Sequence, residues 1–345
     1  MSTARTSAPT LADQVTRLYD LIGGYHATHL LEVGRALGAW ETITAASGIT
    51  SAELAQRLGT EPFYTDVLCR TAFAFGLLER EGAGWRMAPH FDQILGQPDS
   101  TFYLGGAARV HMLVAGDYAE YPQRFRDGTT KPFQAHGEAF VREVAEGLKT
   151  LPRIFLDFVL PRLPAVAARL EAGARVLDVG CGGGWAVVQI AERFPATRCV
   201  GVDIEPHSIE LARRLIAERG LAGRCEARVA SADRLAEDGA YDVATTFLVV
   251  HEIAPELKAG AFAAVARALA PGGVFLIFDE AYPETDRDLQ AMPARFAALA
   301  QWFELIWGNR LNTRTELHEL CAKANLRVIE ETGFSRFHIM AAIKA

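Results

Sequence analysis

The sequence predicts an α/β protein: a mainly parallel, seven-stranded sheet that ends in an antiparallel hairpin, preceded by a mainly helical domain similar to a winged helix. Three observations support this fold class. Between residues 11 and 95, apolar residues recur at spacings of three and four, as in helices that pack on a core. From residue 174, short apolar runs alternate with amphipathic segments, which is typical of a parallel sheet covered on both faces. The last two apolar runs have no helix between them, so we expect them to pair antiparallel.

Length and composition favour a globular protein of two domains. The 345 residues exceed the roughly 250–300 at which a single hydrophobic core stops growing. The net charge of −7 provides no general attraction for nucleic acid or for anionic membranes. Five cysteines, odd in number and without a C-x-x-C pair, indicate neither a disulfide framework nor a zinc site.

We expect the protein to be cytoplasmic. Residues 1–10 lack the apolar segment of a secretory signal. No apolar run reaches the ~18–20 residues that are needed to cross a bilayer. Neither nucleic acid nor a membrane is therefore an expected partner.

Residues 1–100 form the winged-helix-like domain in this interpretation. Ser51 is expected to cap a short helix, Pro62 to begin the next, and residues 77–87 to form a hairpin around a glycine turn. Winged helices often bind DNA, but this segment contains seven arginines, no lysine and eleven acidic residues, a net charge of −4. Such a surface repels phosphates. DNA binding is therefore not expected, and a ligand-sensing transcription regulator is a remote alternative.

Residues 101–170 are predicted to form a helical linker that contributes to a substrate pocket. The segment is interrupted at residues 127–132 and is rich in aromatic and polar side chains. Arg109, His111 and Tyr118 are its candidate contacts to a small molecule. Each could equally serve packing or lie on the surface.

Residues 171–345 form the predicted sheet domain. Its strands are expected at Arg175–Val179, Cys199–Asp203, Cys225–Ala230, Val243–Val249, Val274–Phe278, Leu326–Glu331 and Ser335–Ile343. Helices are expected at Trp185–Arg193, Ser208–Glu218 and Leu257–Leu269. A parallel sheet that ends in an antiparallel hairpin is unusual and therefore informative.

A glycine-rich turn, Gly180 to Gly184, follows the first of these strands and precedes a helix. Glycine lets the backbone turn sharply and approach a ligand, and the next helix offers unpaired N–H groups at its start. With Asp178 ahead of it the segment reads D-x-G-x-G-x-G, whereas the dinucleotide fingerprint reads G-x-G-x-x-G. The turn predicts a nucleotide-type ligand without deciding which.

Acidic residues also follow the next two strands. Asp203 ends the second strand, where a doubly wound fold places a carboxylate that holds ribose hydroxyls. Ala232 and Asp233 follow the third strand, where a short side chain and a carboxylate could bracket an adenine. Three acidic residues at successive strand ends make a specific pattern.

These segments resemble the motifs of class I S-adenosylmethionine-dependent methyltransferases, as do Tyr241-Asp242 and Leu269 to Gly273 before the fourth and fifth strands. The resemblance covers about half of the chain. It implies a Rossmann-like methyltransferase sheet and S-adenosylmethionine as cofactor. It places the methionine part at the glycine turn, the ribose at Asp203 and the adenine amine at Asp233. The expected cofactor contacts are Asp178, Gly180, Cys181, Gly182, Gly184, Asp203, Ala232, Asp233 and Phe247.

The helical domain ahead of the sheet is similar to that of plant-type small-molecule O-methyltransferases and their bacterial relatives. In that family it serves dimerisation and closes the substrate pocket. The resemblance therefore implies a homodimer that acts on a small-molecule acceptor, most simply by O-methylation.

His251, after the fourth strand, matches the position of that family's catalytic histidine, with Glu252 and Ile253 in place of the usual aspartate and tryptophan. A histidine near neutral pKa can take the proton of a hydroxyl as the methyl group transfers. Alternatively it caps the turn or positions the substrate. A family glutamate that orients the histidine falls on Leu311 here, so Glu280 is the candidate replacement, although a surface or cofactor-side role is equally open.

Methyl transfer from a sulfonium can also proceed by alignment and desolvation alone when the nucleophile is good. An alternative is therefore S-, N- or C-methylation of a small carboxylic acid without general-base catalysis. Trp307 and Arg310, in an inserted helical region from Thr285 to Arg310, are further candidate acceptor contacts. Arg109 or Arg310 could pair an acceptor carboxylate. His251 and Glu252 alone make a poor metal site, so no metal is expected.

Overall fold

A computed structural model describes residues 8–292 and 294–345. It divides into two compact units, with the boundary between Met112 and Leu113. Each unit has its own core, and the two are described separately. No helix within the described ranges is long and apolar enough to pass through a membrane.

The first unit is mainly helical and contains one hairpin. Its elements are α1 Leu11–Ala36, α2 Ala39–Ala45, α3 Ser51–Leu58, α4 Pro62–Ala74, β1 Leu78–Glu81, β2 Gly84–Met87 and α5 Phe91–Leu95, and α6 Gly105–Ala115 crosses the boundary. Thr50 rather than Ser51 caps α3, because the Thr50 hydroxyl accepts from the Glu53 amide while the Glu53 carboxylate accepts from the Thr50 amide. Trp40, Ile43, Leu54 and Trp85 are fully buried at the centre of this unit.

The second unit begins with short helices and continues into the sheet. Its elements are α7 Tyr121–Asp127, α8 Glu138–Gly147, α9 Leu151–Ile154, α10 Pro164–Glu171, β3 Arg175–Val179, α11 Trp185–Arg193, β4 Arg198–Asp203, α12 Pro206–Glu218, β5 Cys225–Val229, β6 Tyr241–Phe247, α13 Pro255–Ala268, β7 Leu269–Glu280, α14 Asp286–Leu289, α15 Ala294–Phe303, α16 Arg314–Lys323, β8 Leu326–Phe334 and β9 Phe337–Lys344.

The seven strands of the sheet have the spatial order β5-β4-β3-β6-β7-β9-β8. Strands β3 to β7 are parallel, and β9 pairs antiparallel with both β7 and β8. The predicted fold class, a mainly helical N-terminal region followed by a mainly parallel sheet with a terminal antiparallel hairpin, is confirmed. Strand β7 is longer than predicted because it starts at Leu269, opposite Tyr241, and passes an irregularity in the pairing before Val274.

Both faces of the sheet are buried, because neighbouring residues along each strand pack into different cores. Val176 belongs to the core beneath α10, α11 and α12, whereas Leu177 belongs to the core beneath α13 and α16. Leu276 and Ile277 alternate in the same way. This explains why the strands read as continuous apolar runs in the sequence.

Shortening a side chain in this central layer should destabilise the protein far more than shortening one at the sheet's edge. Leu177 is fully buried in β3, whereas Val229, at the end of edge strand β5, is half exposed. We expect Leu177→Ala to lower the free energy of unfolding by ~2–5 kcal/mol because it leaves a cavity. Val229→Ala should change it by less than about 0.5 kcal/mol. Urea unfolding monitored by circular dichroism measures both, and equal losses would contradict this account of the core.

Candidate active site

The glycine turn lies where the strand order of the sheet reverses. From β3 the chain continues outward through β4 and β5, then returns to β6 on the other side of β3. The carboxyl ends of these strands diverge from that point, which is where open α/β sheets bind ligands. A cavity of about 510 Å³ opens there, lined by residues of the second unit.

The backbone of the turn requires glycine at two positions. Gly180 and Gly184 have φ angles of 71° and 83°, in the left-handed region. A Cβ atom on Gly180 would lie 2.4 Å from a methyl carbon of Val249, and one on Gly184 would lie 2.8 Å from Cβ of Ala212. The Gly180 amide also donates to the Val202 carbonyl at 2.8 Å. The turn is therefore fixed against β4, α12 and the segment after β6.

Two carboxylates are held at the strand ends beside this turn. Asp203 accepts from the backbone amides of Gly182 and Glu205, both at 2.9 Å. Burial raises the pKa of Asp203, and these two hydrogen bonds oppose the shift. Asp178 accepts from the Thr245 hydroxyl at 2.7 Å, and burial raises the pKa of Asp178 to about 7. Both side chains line the cavity.

The third acidic residue lies on the adjacent wall. Asp233 accepts a hydrogen bond from the Ser231 hydroxyl, and both residues line the cavity together with Ala232. Phe247 completes this side, with its ring 5.3 Å from that of Phe155 between ring centroids. This wall of the cavity therefore contains both polar and apolar groups.

Eight of the nine residues predicted to contact a cofactor line this one cavity. They are Asp178, Gly180, Cys181, Gly182, Asp203, Ala232, Asp233 and Phe247. Gly184 does not line the cavity, because it is the residue immediately before α11, whereas its neighbour Gly183 does. That each residue contacts the cofactor stays a prediction.

The lining of the cavity is strongly acidic. Carboxylates of Asp178, Asp203, Glu205, Asp233 and Glu252 contribute to it. Of the residues that the structure describes, no lysine, arginine or histidine lines it. Such a cavity favours a ligand that carries positive charge and hydroxyl groups.

Residues 176–273, which form this edge of the sheet, match a sequence model of the family described as "Methyltransferase domain". The chain is a class I S-adenosylmethionine-dependent methyltransferase. The match contains the glycine turn and all the acidic strand ends. The segments on which the resemblance seen in the sequence rested all lie within this match.

Relatives and solved structures agree with this assignment. A 3-hydroxy-5-methyl-1-naphthoate 3-O-methyltransferase of Streptomyces sahachiroi is 28% identical over 275 residues, 76% of this chain and 76% of that protein. The chain spans about half the length of several other curated methyltransferases that it matches.

Two solved structures share the fold over nearly the whole chain. An O-methyltransferase family protein from Burkholderia thailandensis has a TM-score of 0.74 at 22% identity and covers 98% of this chain and 99% of its own. Human N-acetylserotonin methyltransferase in complex with S-adenosylmethionine has a TM-score of 0.75 at 17% identity and covers 99% of both chains.

The donor set of the methyltransferase cavity fits S-adenosylmethionine. Asp203 keeps lone pairs toward the cavity beyond its two amide hydrogen bonds, as the hydroxyls of a ribose require. Asp233 can accept from an exocyclic amine, and Gly182 leaves open space because a Cβ there would meet nothing within 4 Å. A sulfonium and an ammonium both suit the acidic lining.

His251 lies just past β6 and is held between two carboxylates. Its Nδ1 is 2.5 Å from Asp279 Oδ1, and its Nε2 is 3.2 Å from Glu304 Oε2. Only 4% of the residue is exposed, and it does not line the cavity. Because the carboxylates flank opposite sides of the ring, both ring nitrogens are engaged.

The two carboxylates determine the charge of His251. Burial alone would lower the pKa of the imidazole, but Asp279 and Glu304 outweigh it and raise the pKa well above its usual value. His251 is therefore an imidazolium at neutral pH in this arrangement. A charged imidazole with both nitrogens engaged donates hydrogen bonds and cannot accept a proton.

The orienting carboxylate that the sequence analysis assigned to Glu280 is supplied by Asp279 and Glu304 instead. Glu280 pairs with Arg336 at 2.8 Å, and burial raises the pKa of Glu280 to about 7. Leu311, to which the resemblance assigned the place of the family glutamate, is buried among apolar side chains. Glu304 comes from the segment after α15 and is held by Asn309 Nδ2 at 3.0 Å.

Of the candidate acceptor contacts, Trp307 lines the cavity. Its indole Nε1 donates to Asp117 Oδ2 at 2.8 Å. Tyr118 instead packs on Tyr121, 5.1 Å away between ring centroids, and Arg310 pairs with Glu316 at 3.0 Å with most of its side chain exposed. Neither of these two lines the cavity. Arg109 and His111 belong to the first unit, where Arg109 lies 3.9 Å from Glu32.

The structure also reveals site residues that the sequence analysis did not select. Glu252 and Asn309 line the cavity, and Lys258 of α13 is buried. Lys258 Nζ donates at 2.9 Å to both the Arg310 carbonyl and Asn312 Oδ1, while the Arg310 amide donates to the His251 carbonyl. The segment that bears Glu304 is thereby tied to the turn after β6.

Within the described ranges, no group of three or more His, Cys, Asp or Glu side chains is arranged to hold a metal ion. Asp279 and Glu304 both contact His251, but the three residues are not arranged around a common point. The two carboxylates approach opposite edges of the imidazole and therefore do not converge on one point.

His251 should stay protonated above pH 7 in the wild-type protein and titrate at lower pH in Asp279→Asn, because one stabilising negative charge is lost. Since the folded-state pKa lies above the unfolded value of ~6.5, protonation stabilises the fold fully below that pH. This stabilisation is lost as the pH rises through the folded-state pKa. Nitrogen-15 NMR of the imidazole across pH 5–9 measures the titration.

The matched control is Asp286→Asn, which removes an exposed carboxylate in α14. It should leave the titration of His251 unchanged. If Asp279→Asn also leaves it unchanged, the raised pKa of His251 does not come from Asp279.

Proposed function

We propose that this methyltransferase transfers the methyl group of S-adenosylmethionine to an oxygen atom of a small molecule. The observation that carries the proposal is the cavity itself, in which the acidic strand ends continue into an apolar wall. That wall is lined by Phe133, Leu148, Leu151, Ile253, Leu257 and Trp307. A pocket with an apolar wall beside a nucleotide site suits a small organic acceptor rather than a macromolecule.

The names of the relatives support oxygen as the methylated atom. The Streptomyces sahachiroi relative is named as a 3-O-methyltransferase, and the Burkholderia thailandensis structure as an O-methyltransferase family protein. The lining favours a neutral acceptor over the alternative, a small carboxylic acid, because none of its described side chains is cationic. The Streptomyces sahachiroi relative, by contrast, is named for a naphthoate. Arg310, which could have paired such an anion, is engaged with Glu316.

When bound, S-adenosylmethionine supplies a methyl group on a sulfonium that is open to displacement. In the proposal Asp203 accepts from the ribose hydroxyls, Asp233 accepts from the adenine amine, and the turn Gly180–Gly183 receives the methionine part. Hydrogen bonds fix the backbone of the turn and the Asp203 carboxylate before the cofactor binds. Binding therefore costs little conformational entropy of the protein.

We assign His251 a positioning role within this function. Its ring holds Glu304, and through it Asn309, over the cavity, and its carbonyl accepts from the Arg310 amide. The histidine therefore anchors the segment that covers the acceptor side.

Asp203→Asn should weaken binding of S-adenosylhomocysteine about 10- to 100-fold, because hydrogen bonds to a charged group contribute ~1.5–3 kcal/mol. Isothermal titration calorimetry measures the affinity, and a wild-type unfolding midpoint shows that the variant is folded. Asp238→Asn, which removes an exposed carboxylate outside the cavity, is the matched control.

The same proteins test the reaction in a screen of small phenols, naphthols and amines, scored by release of S-adenosylhomocysteine. We expect turnover of hydroxylated members by the wild-type and Asp238→Asn proteins. No binding of S-adenosylhomocysteine by the wild-type protein, or release with no member of the set, would refute the proposed function.

We further propose that the methyltransferase is a homodimer that pairs through α1. Leu11, Val15, Leu18, Ile22 and Tyr25 recur along α1 at alternating spacings of four and three, and all are exposed. Apolar residues at these spacings form a seam along one side of a helix, and two helices pack against each other along such seams. A contiguous exposed apolar stripe on a globular protein marks an interaction site. In the proposed homodimer, the same seam of a second copy packs against this one and buries these apolar side chains.

A charge in this seam should separate the protomers. Leu18→Glu places a carboxylate at the centre of the stripe, and we expect it to sediment as a monomer at concentrations at which the wild-type protein sediments as a dimer. Thr16→Glu, on an exposed position of α1 outside the stripe, should remain dimeric. Sedimentation velocity distinguishes the two states, and a monomeric wild-type protein would refute the proposal.

A further inference from the structure

Glu252 and His251 are neighbours in the chain but face different surroundings. The turn that carries them is closed by a hydrogen bond from the Glu252 amide to the Val249 carbonyl at 2.9 Å. The imidazole of His251 is buried in the protein, whereas the side chain of Glu252 lines the cavity and remains accessible to solvent through it. A ligand in the cavity can therefore touch Glu252 directly.

His251 has no free nitrogen to offer such a ligand. Nδ1 is bound by Asp279 and Nε2 by Glu304, and Glu304 is itself held by Asn309. An acceptor would have to displace a buried carboxylate from a charged imidazole to reach it. No displacement is needed for Glu252.

We propose that Glu252 is the catalytic base of this methyltransferase, and that its acceptor presents a neutral hydroxyl to this carboxylate and carries no anionic group near it. The inference rests on the proposed function. It differs from the sequence expectation in transferring the proton role from the histidine to the residue after it.

The electrostatic surroundings of Glu252 suit a base that works near neutral pH. Desolvation at the cavity wall raises the pKa of Glu252 above its ordinary value; His251 lowers the pKa, and Glu304, Asp203 and Asp279 raise it further. Ordinary carboxylates at pH 7 are poor bases because their pKa lies near 4.3. A carboxylate whose pKa is near the working pH accepts a proton from a hydroxyl much more readily.

The charged groups of the cavity also determine which charge the acceptor can carry. In the described chain the cavity lining has five carboxylates and no cationic side chain. Once Glu252 has lost its proton, an acceptor carboxylate beside it would meet like charge, which weakens binding. A phenolic or alcoholic hydroxyl instead donates a hydrogen bond to Glu252 and loses its proton along that bond.

The step balances in atoms and charge. The acceptor O–H bond breaks and its proton moves to a carboxylate oxygen of Glu252, while the acceptor oxygen bonds to the methyl carbon. The electron pair of the breaking carbon–sulfur bond stays on sulfur. One positive and one negative charge are lost together, leaving a methyl ether, a neutral thioether and a protonated Glu252.

The test compares four variants with the wild-type protein. Glu252→Gln removes the base and keeps its shape, and Glu252→Asp retains a carboxylate on a shorter arm. Glu256→Gln removes an exposed carboxylate at the start of α13 that does not line the cavity. His251→Asn keeps hydrogen-bonding capacity but removes the imidazole.

The first readout is the pH profile of kcat with 3-hydroxy-1-naphthamide as acceptor. We expect kcat in the wild-type and Glu256→Gln proteins to rise with pH to a plateau as the base loses its proton. Glu252→Gln should lower kcat at least 100-fold and abolish this rise, because general-base catalysis contributes 10²–10⁴-fold. Glu252→Asp should retain the rise at a lower plateau, and so should His251→Asn.

The second readout is binding without turnover. Calorimetry at pH 9, at which Glu252 is ionised, uses protein saturated by S-adenosylhomocysteine. It compares 3-hydroxy-1-naphthamide with 3-hydroxy-1-naphthoate, which differ in charge and little in shape. The wild-type protein should bind the amide at least tenfold more tightly than the naphthoate. Glu252→Gln should reduce this preference at least threefold, whereas Glu256→Gln should retain it.

The inference is overturned if Glu252→Gln keeps both the pH-dependent rise and most of kcat, or if the naphthoate binds as tightly as the amide. It is also overturned if His251→Asn alone abolishes the rise. A failure of the proposed function looks different: the wild-type protein would then bind no S-adenosylhomocysteine, or release none with any acceptor, and the inference would fail with it.

Discussion

The site depends on the parallel pairing of β3 with β4 on one side and with β6 on the other. This pairing brings three strand ends to one edge, with Asp178, Asp203 and the turn before His251 within reach of a single ligand. The backbone of the glycine turn can follow this edge because the Gly180 and Cys181 amides both donate to the Val202 carbonyl of β4. Any change in register of β3 would move the turn and its neighbouring carboxylate together.

Carboxylates are concentrated at this edge of the sheet. Asp178 and Asp203 are costly to hold in buried surroundings, and their raised pKa values express that cost. Backbone amides reduce it at Asp203, and the Thr245 hydroxyl reduces it at Asp178. A positively charged ligand removes the remainder, so binding and stability are linked through the same groups.

Most of the fold, and most of the nucleotide side of the site, could be predicted from the sequence because local patterns determine them. Strand Arg175–Val179 and helix Trp185–Arg193 lie where the pattern placed them. The assignment of Glu280 as the carboxylate beside His251 was wrong because neighbouring residues of a strand face opposite sides, and no sequence pattern gives the facing at a strand's last residues. Glu304 was missed for a different reason. It reaches His251 from the covering segment, which no local spacing relates to β6.

A network around Asp117 holds Trp307 in the apolar wall of the cavity. Asp117 accepts from Lys131 Nζ at 2.7 Å and from the Trp307 indole at 2.8 Å, and it lies 2.7 Å from His136 Nε2. None of these four residues belongs to β3, β4 or the glycine turn. Evolution can therefore reshape the wall through Trp307 and its supports while the donor site stays constant. One scaffold can in this way diversify into enzymes that share a methyl donor and differ in what they methylate.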